Sequence, residues 1–134
     1  MKIKIIFWIA AVATFLQALP LYISMLSKEF KLMLIGDVFG ESPSSDAIVM
    51  FDQFALVVGL LALGFSFICM GATTFKDLEV LRRVSFLLFV FSGFFALPDL
   101  ISLTQGNPTA PLPVIILGLT NMVLLYFGHK KGVV

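Results

Sequence analysis

The fold is decided by residues 47–72, which read AIVMFDQFALVVGLLALGFSFICMGA. Asp52, near the start of this run, is its only charged residue. A helix needs about 20 apolar residues to cross the roughly 30 Å of hydrocarbon in a bilayer. Residues 47–72 are therefore long enough and apolar enough to form a transmembrane helix.

Three further runs have the same character: residues 3–26, 84–103 and 112–128. The first run is longer than the apolar core of a signal peptide, which has about 7–15 residues, so we expect it to be a span. The last run is the shortest, and at about 1.5 Å of rise per residue it must stand nearly upright.

The composition indicates the same environment. Apolar residues make up 60% of the 134 residues and charged residues 13%, whereas a soluble domain carries about 25% charged residues. The net charge of +1 gives no reason to expect binding to nucleic acid. The sequence therefore predicts a single all-α domain over residues 1–134, an integral membrane four-helix bundle in contact with the lipid bilayer.

Lysine and arginine are distributed unevenly between the two ends of the predicted spans. Both termini and the segment 73–83 fall at one end, which carries seven of the nine Lys and Arg residues; the other end carries Lys28 and Lys31. Cytoplasmic segments of membrane proteins hold the excess of basic residues. We therefore predict a multi-pass protein of the bacterial inner membrane with both termini in the cytoplasm.

Two of the connections carry structural signals. The outer segment 27–46 begins with residues 28–35, which are too apolar for a free loop, so we expect them to lie along the membrane interface or over the mouth of the bundle. In the inner turn 73–83, Thr73 or Thr74 is placed to cap the start of the third span.

An internal duplication is a further hypothesis. Residues 18–25, ALPLYISM, match residues 96–103, ALPDLISL, at five of eight positions with an offset of 78. This pattern predicts two tandem helical hairpins related by a pseudo-two-fold axis along the membrane normal. The alternative is chance agreement in a chain rich in Leu, Ile and Phe.

The duplicated segments each contain a proline, Pro20 or Pro98. Proline cannot donate a backbone hydrogen bond, so each helix should bend there and leave a carbonyl without its usual donor. Matched interruptions in two halves of a membrane protein favour a binding site. A simple packing kink is the alternative.

Few polar residues fall inside the spans, and five of them form a candidate site: Gln17, Asp52, Gln53, Asp99 and Asn121. We place this polar set in the outer half of the bundle, with no Lys or Arg in the same layer, and expect both carboxylates to face the interior. Intramembrane polar groups of this kind bind protons, cations or small molecules. Alternatively, Asp52 and Asp99 lie shallow enough to meet interfacial water.

Other chemistry has little support in the sequence. Cys69 is the only cysteine and His129 the only histidine, which excludes an internal disulfide, a Cys/His zinc set and a histidine triad. We identify no catalytic residue, no metal ligand and no cofactor, and we do not expect an enzyme. An activity on a lipid or quinone is the alternative.

The size, the four spans, the basic turn before the third span and the Pro98-Asp99 step are similar to the DoxX-like group of small bacterial membrane proteins. The resemblance covers the whole chain as a hydropathy outline, except for the long outer segment 27–46. It implies an accessory membrane subunit and assigns no functional residue.

The missing catalytic groups and the 15 Phe residues favour the same interpretation. We expect a non-catalytic accessory or structural subunit that packs against a larger membrane protein or a second copy of itself. The alternative is a carrier of a small molecule, a lipid or protons that uses the polar set.

Overall fold

The computed structural model describes residues 1–40, 42–106 and 110–134, and for residues 37–39 it describes the backbone alone. It contains five helices: α1 (Ile3–Leu26), α2 (Lys28–Phe39), α3 (Ser45–Ala72), α4 (Leu78–Thr104) and α5 (Leu112–Lys131). All except α2 are long and apolar enough to cross a membrane. The predicted all-α four-helix bundle is confirmed, and its spans are those of a multi-pass membrane protein.

The start of α4 differs from the prediction. The helix begins at Leu78, six residues before the predicted span, because the carboxylate of Asp77 accepts a hydrogen bond from the backbone N–H of Val80 at 2.8 Å. The prediction that Thr73 or Thr74 caps this helix is wrong. Their hydroxyls donate to carbonyls three residues back, at 2.6 and 2.7 Å, and so close the end of α3.

The apolar part of the outer segment forms α2. The hydroxyl oxygen of Ser27 accepts a hydrogen bond from the backbone N–H of Phe30 at 3.3 Å and caps the helix. Helix α2 packs on α1 and α3 and buries Ile35 completely. The segment therefore folds against the bundle, which explains why it is too apolar for a free loop.

The four long helices pack side by side in the order α3, α1, α5 and α4. Helix α1 packs on α3 and on α5, and α4 packs on α5, whereas α4 touches α1 and α3 only slightly. The side between α3 and α4 is consequently open along much of its length. We call this the open side, and the seam formed by α1, α5 and α4 the closed side.

Both termini lie at the same end of the bundle as the α3–α4 turn, which we call the terminal end. The backbone N–H of Ile3 donates to the carbonyl of Val133 at 2.8 Å. The guanidinium of Arg82 donates to the carbonyl of Gly132 at 2.9 and 3.2 Å. The largest buried side chains, including Phe7 and Leu125, lie nearby, so the hydrophobic core is concentrated in this half of the bundle.

The two segments of the proposed duplication share one local hydrogen bond. In the first copy the Ser24 hydroxyl donates to the carbonyl of Leu21 at 2.7 Å, and in the second the Ser102 hydroxyl donates to the carbonyl of Asp99 at 2.9 Å. The most extensive helix pairings, α1 with α3 and α4 with α5, are also those of the two predicted hairpins. The pseudo-two-fold axis itself stays a prediction.

Candidate ligand site inside the bundle

The five polar residues predicted to form one site separate into different environments. Gln17 and Asn121 come together between α1 and α5. Asp52 and Gln53 lie near the start of α3, where Gln53 is exposed. Asp99 is half-buried near the C-terminal end of α4, one residue after Pro98.

Asp52 has a basic partner. Its carboxylate lies 2.6 Å from the ammonium group of Lys31, and the two side chains are 46% and 20% exposed. The prediction that no Lys or Arg shares this layer is therefore wrong. The reason is that α2 folds back over α1 and α3 and brings its lysine to the start of α3.

Asn121 is the most enclosed polar side chain of the predicted set, at 2% exposure. Its amide nitrogen donates to the hydroxyl of Thr14 at 3.0 Å and to the carbonyl of Ala10 at 3.5 Å. Its amide oxygen is buried and accepts no hydrogen bond from the described residues. An unsatisfied buried polar group costs about 1–3 kcal/mol, so this oxygen requires an explanation beyond packing.

Gln17 reaches the same region from α1. Its amide nitrogen donates to the carbonyl of Val114 at 3.1 Å. Gly118 leaves room for the side chain, because a Cβ atom there would lie 2.6 Å from the Gln17 amide nitrogen. The absence of a side chain at this position is therefore what lets Gln17 contact α5.

Ser92 is the polar residue of α4 that lies near Gln17. The antiparallel register of α4 and α5 follows from the Ser85 hydroxyl, which donates to the carbonyl of Leu125 at 2.7 Å. Ser92 is buried, yet within the described part of the chain its hydroxyl makes no hydrogen bond.

Gln17 and Ser92, but not Asn121, line a small cavity on the open side, the polar pocket. It is lined by Thr14, Gln17, Leu61, Ala62, Phe65, Phe91, Ser92 and Phe95. Its volume is about 20 Å³, and one water-sized group needs about 10–15 Å³ by this measure. The pocket therefore accommodates a single hydroxyl or water.

A larger cavity, the apolar groove, continues toward the terminal end between the same two helices. It is lined by Ile68, Gly71, Ala72, Phe75, Val84, Leu87 and Leu88 and measures about 480 Å³. The rings of Phe65 and Phe91 stack between the two cavities, with centroids 5.5 Å apart. Neither cavity is lined by Asp52 or Asp99.

Thr14 and Ser92 are the pocket residues that the sequence prediction missed. Hydroxyl residues in helices commonly bond their own backbone, so neither residue stood out. A usable signal was nevertheless present: the two positions differ by 78, the offset of the proposed duplication. Both hydroxyl residues line the polar pocket, and the duplication itself stays a prediction.

The pocket is neutral and contains hydrogen-bonding groups without a charged residue. Among the described residues there is no cluster of His, Cys, Asp or Glu that could hold a metal ion. The arrangement is suited to binding and holds no nucleophile paired with a base. No known protein family, curated protein or solved structure matches the chain.

Proposed function

We propose that the chain is a non-catalytic accessory subunit that packs against a larger membrane protein through α4. The observation that carries this proposal is the poor internal burial of α4. Only 11% of its span is buried, compared with 39%, 33% and 28% for α1, α3 and α5. Helices in a bilayer associate through close packing and hydrogen bonds, and α4 makes such contacts mainly with α5.

The outward surface of α4 is suited to a second transmembrane helix. Phe94 and Leu87 are among its most exposed side chains, and both are large and apolar. The proposal includes the orientation predicted from the basic residues, with both termini in the cytoplasm of a bacterium. It also includes a role like that implied by the DoxX-like resemblance.

Site-specific crosslinking in the native membrane tests the proposal. We expect a photoreactive residue at Phe94 or Leu87 to capture a distinct protein in stoichiometric yield after purification in mild detergent. The control is Trp8, a large apolar position on α1 that is 52% exposed, which should capture none. Equal yields from Phe94 and Trp8, or no product from α4, would contradict the proposal; a dimer of the chain would identify a homo-oligomer.

A carrier is the second candidate, and a specific observation favours it. The two aspartates give it little support, because Asp52 is paired with Lys31 and neither aspartate lines a cavity described above. The unsatisfied oxygen of Asn121 instead favours the binding of a neutral molecule. Purification with a bound small molecule and without a protein partner would select this candidate.

A further inference from the structure

We propose that the apolar groove binds an anionic phospholipid from the leaflet at the terminal end, with an acyl chain between α3 and α4 and its phosphate at Lys76 and Arg83. This inference goes beyond the accessory role and does not depend on a protein partner at α4. It rests on the bounds of the groove, on its exposed apolar lining and on the basic residues that flank it.

The groove is short and ends before the middle of the bundle. On α3 and α4 its lining extends over residues 68–72 and 84–88, which is about 6 Å of rise along each helix. One turn farther from the terminal end, the rings of Phe65 and Phe91 stack with centroids 5.5 Å apart and bridge the two helices. A transmembrane helix is about 10 Å wide and packs along a longer seam, so it does not fit between α3 and α4. An acyl chain that enters from one leaflet does fit.

The lining of the groove is apolar and uncovered. Ile68 and Leu87 are 59% and 65% exposed, and a Cβ atom at Gly71 would meet nothing within 4 Å. The volume of the groove is about 480 Å³, within the range of about 300–1,000 Å³ that is typical of ligand sites. Because α3 and α4 touch only slightly, a lipid chain reaches this surface sideways from the bilayer.

Basic residues flank the groove at the terminal end. Lys76 follows the lining residue Phe75, and Arg83 precedes the lining residue Val84. Both basic residues are exposed, and among the described residues Lys76 forms no ion pair. Arg83 is paired with Glu79, but the two side chains are 75% and 73% exposed, and an exposed pair of this kind contributes little. A phosphate can therefore replace Glu79 as the partner of the guanidinium.

The charges around the groove favour an anion over a zwitterion. The carboxylate of Asp77, the other acidic residue near the groove, already accepts a hydrogen bond from the backbone N–H of Val80. The guanidinium of Arg82 is likewise occupied, by the carbonyl of Gly132, so Lys76 and Arg83 are the basic residues left for a ligand. Basic sites between transmembrane helices bind anionic lipid headgroups, which matches this arrangement.

The test compares two photoreactive lipids on the purified full chain in mild detergent. Phosphatidylglycerol has a net negative charge, whereas phosphatidylcholine with the same acyl chains and the same diazirine has none. We expect phosphatidylglycerol to label residues of α3 and α4 at the groove. It should bind about 25-fold more tightly than phosphatidylcholine, because each of two basic residues beside an anionic lipid contributes about a factor of five. This preference should decrease as salt is added.

The charged mouth of the groove is tested by Lys76→Gln combined with Arg83→Gln. Since both positions are exposed, the double variant should fold normally. It should bind phosphatidylglycerol as weakly as phosphatidylcholine. The matched control is Lys130→Gln combined with Lys131→Gln, which removes the same charge from exposed positions of α5 at the same end. Neither control residue lines the groove, so this variant should bind phosphatidylglycerol as the wild type does.

The apolar part of the site is tested by Gly71→Phe, which fills the groove and removes no charge. A Cβ atom at this position meets nothing within 4 Å, so we expect wild-type thermal stability. Labelling by both lipids at α3 and α4 should be lost.

Four results would overturn the proposal. They are equal binding of the two lipids to the wild type, equal losses in the two double variants, labelling that persists in Gly71→Phe, and a photoreactive residue at Ile68 that captures a second copy of the chain instead of lipid. The last result would identify the groove as an interface between copies. None of them bears on the proposed protein partner, because the crosslinking position Phe94 lies outside the groove.

Discussion

The closed and open sides of the bundle place the same residue type in opposite surroundings. On the closed side, a Cβ atom at Gly128 would lie 2.6 Å from the Ser85 hydroxyl oxygen and 3.2 Å from the side chain of Ile6. On the open side, the same atom at Gly71 would meet nothing within 4 Å. In a bilayer no hydrophobic force draws helices together, so only surfaces that fit closely are closed by the chain itself.

The largest effect that we expect comes from a leucine on the closed side. Gly128→Leu should destabilise the bundle by about 3 kcal/mol, at the upper end for overpacking, because Ser85 and Ile6 belong to separate helices that must move apart. Unfolding by denaturing detergent in mixed micelles measures this change.

Gly71→Leu is the matched control on the open side. The two variants gain the same side chain and the same helix propensity, so their difference isolates packing. We expect Gly71→Leu to unfold within about 0.5 kcal/mol of the wild type, as for ordinary surface positions. Similar losses for both variants would mean that the open side closes in the membrane.

A substitution at Asn121 should have a smaller effect than Gly128→Leu and should raise the free energy of unfolding. Asn121→Leu loses its hydrogen bond to Thr14, worth about 0.5–1.5 kcal/mol, but it also removes a buried oxygen whose desolvation costs about 1–3 kcal/mol. The variant should therefore be more stable than the wild type by about 1 kcal/mol in detergent unfolding. A loss of stability would indicate that Asn121 serves the fold and not a ligand.

The four spans were predictable because the thickness of the bilayer fixes the length of an apolar run. The pairing of Lys31 with Asp52 was not, because it depends on how α2 folds back over two other helices. The polar pocket was predictable only in part. Gln17 stands out as an amide in an apolar helix, whereas Thr14 and Ser92 do not, because hydroxyl residues in helices commonly bond their own backbone.

Two buried serines on α4 allow a finer comparison. The Ser85 hydroxyl donates to the carbonyl of Leu125 at 2.7 Å on the closed side, so Ser85→Ala should cost about 0.6 kcal/mol, the average for such bonds in membrane proteins. Ser92 makes no bond of this kind within the described residues, so Ser92→Ala should leave stability unchanged. Equal losses of stability for the two variants in detergent unfolding would contradict this comparison.

The smallest effect is expected at the ion pair of α2, which lies away from both sides. Lys31 and Asp52 are 2.6 Å apart, but the carboxylate side chain is 46% exposed, and water screens such a pair. A double-mutant cycle with Lys31→Gln and Asp52→Asn should give a coupling of about 0.5 kcal/mol, within the range of about 0.2–1 kcal/mol for exposed pairs. The coupling should fall as salt is added. A coupling well above 1 kcal/mol that resists salt would show that the pair is shielded from water by the bilayer.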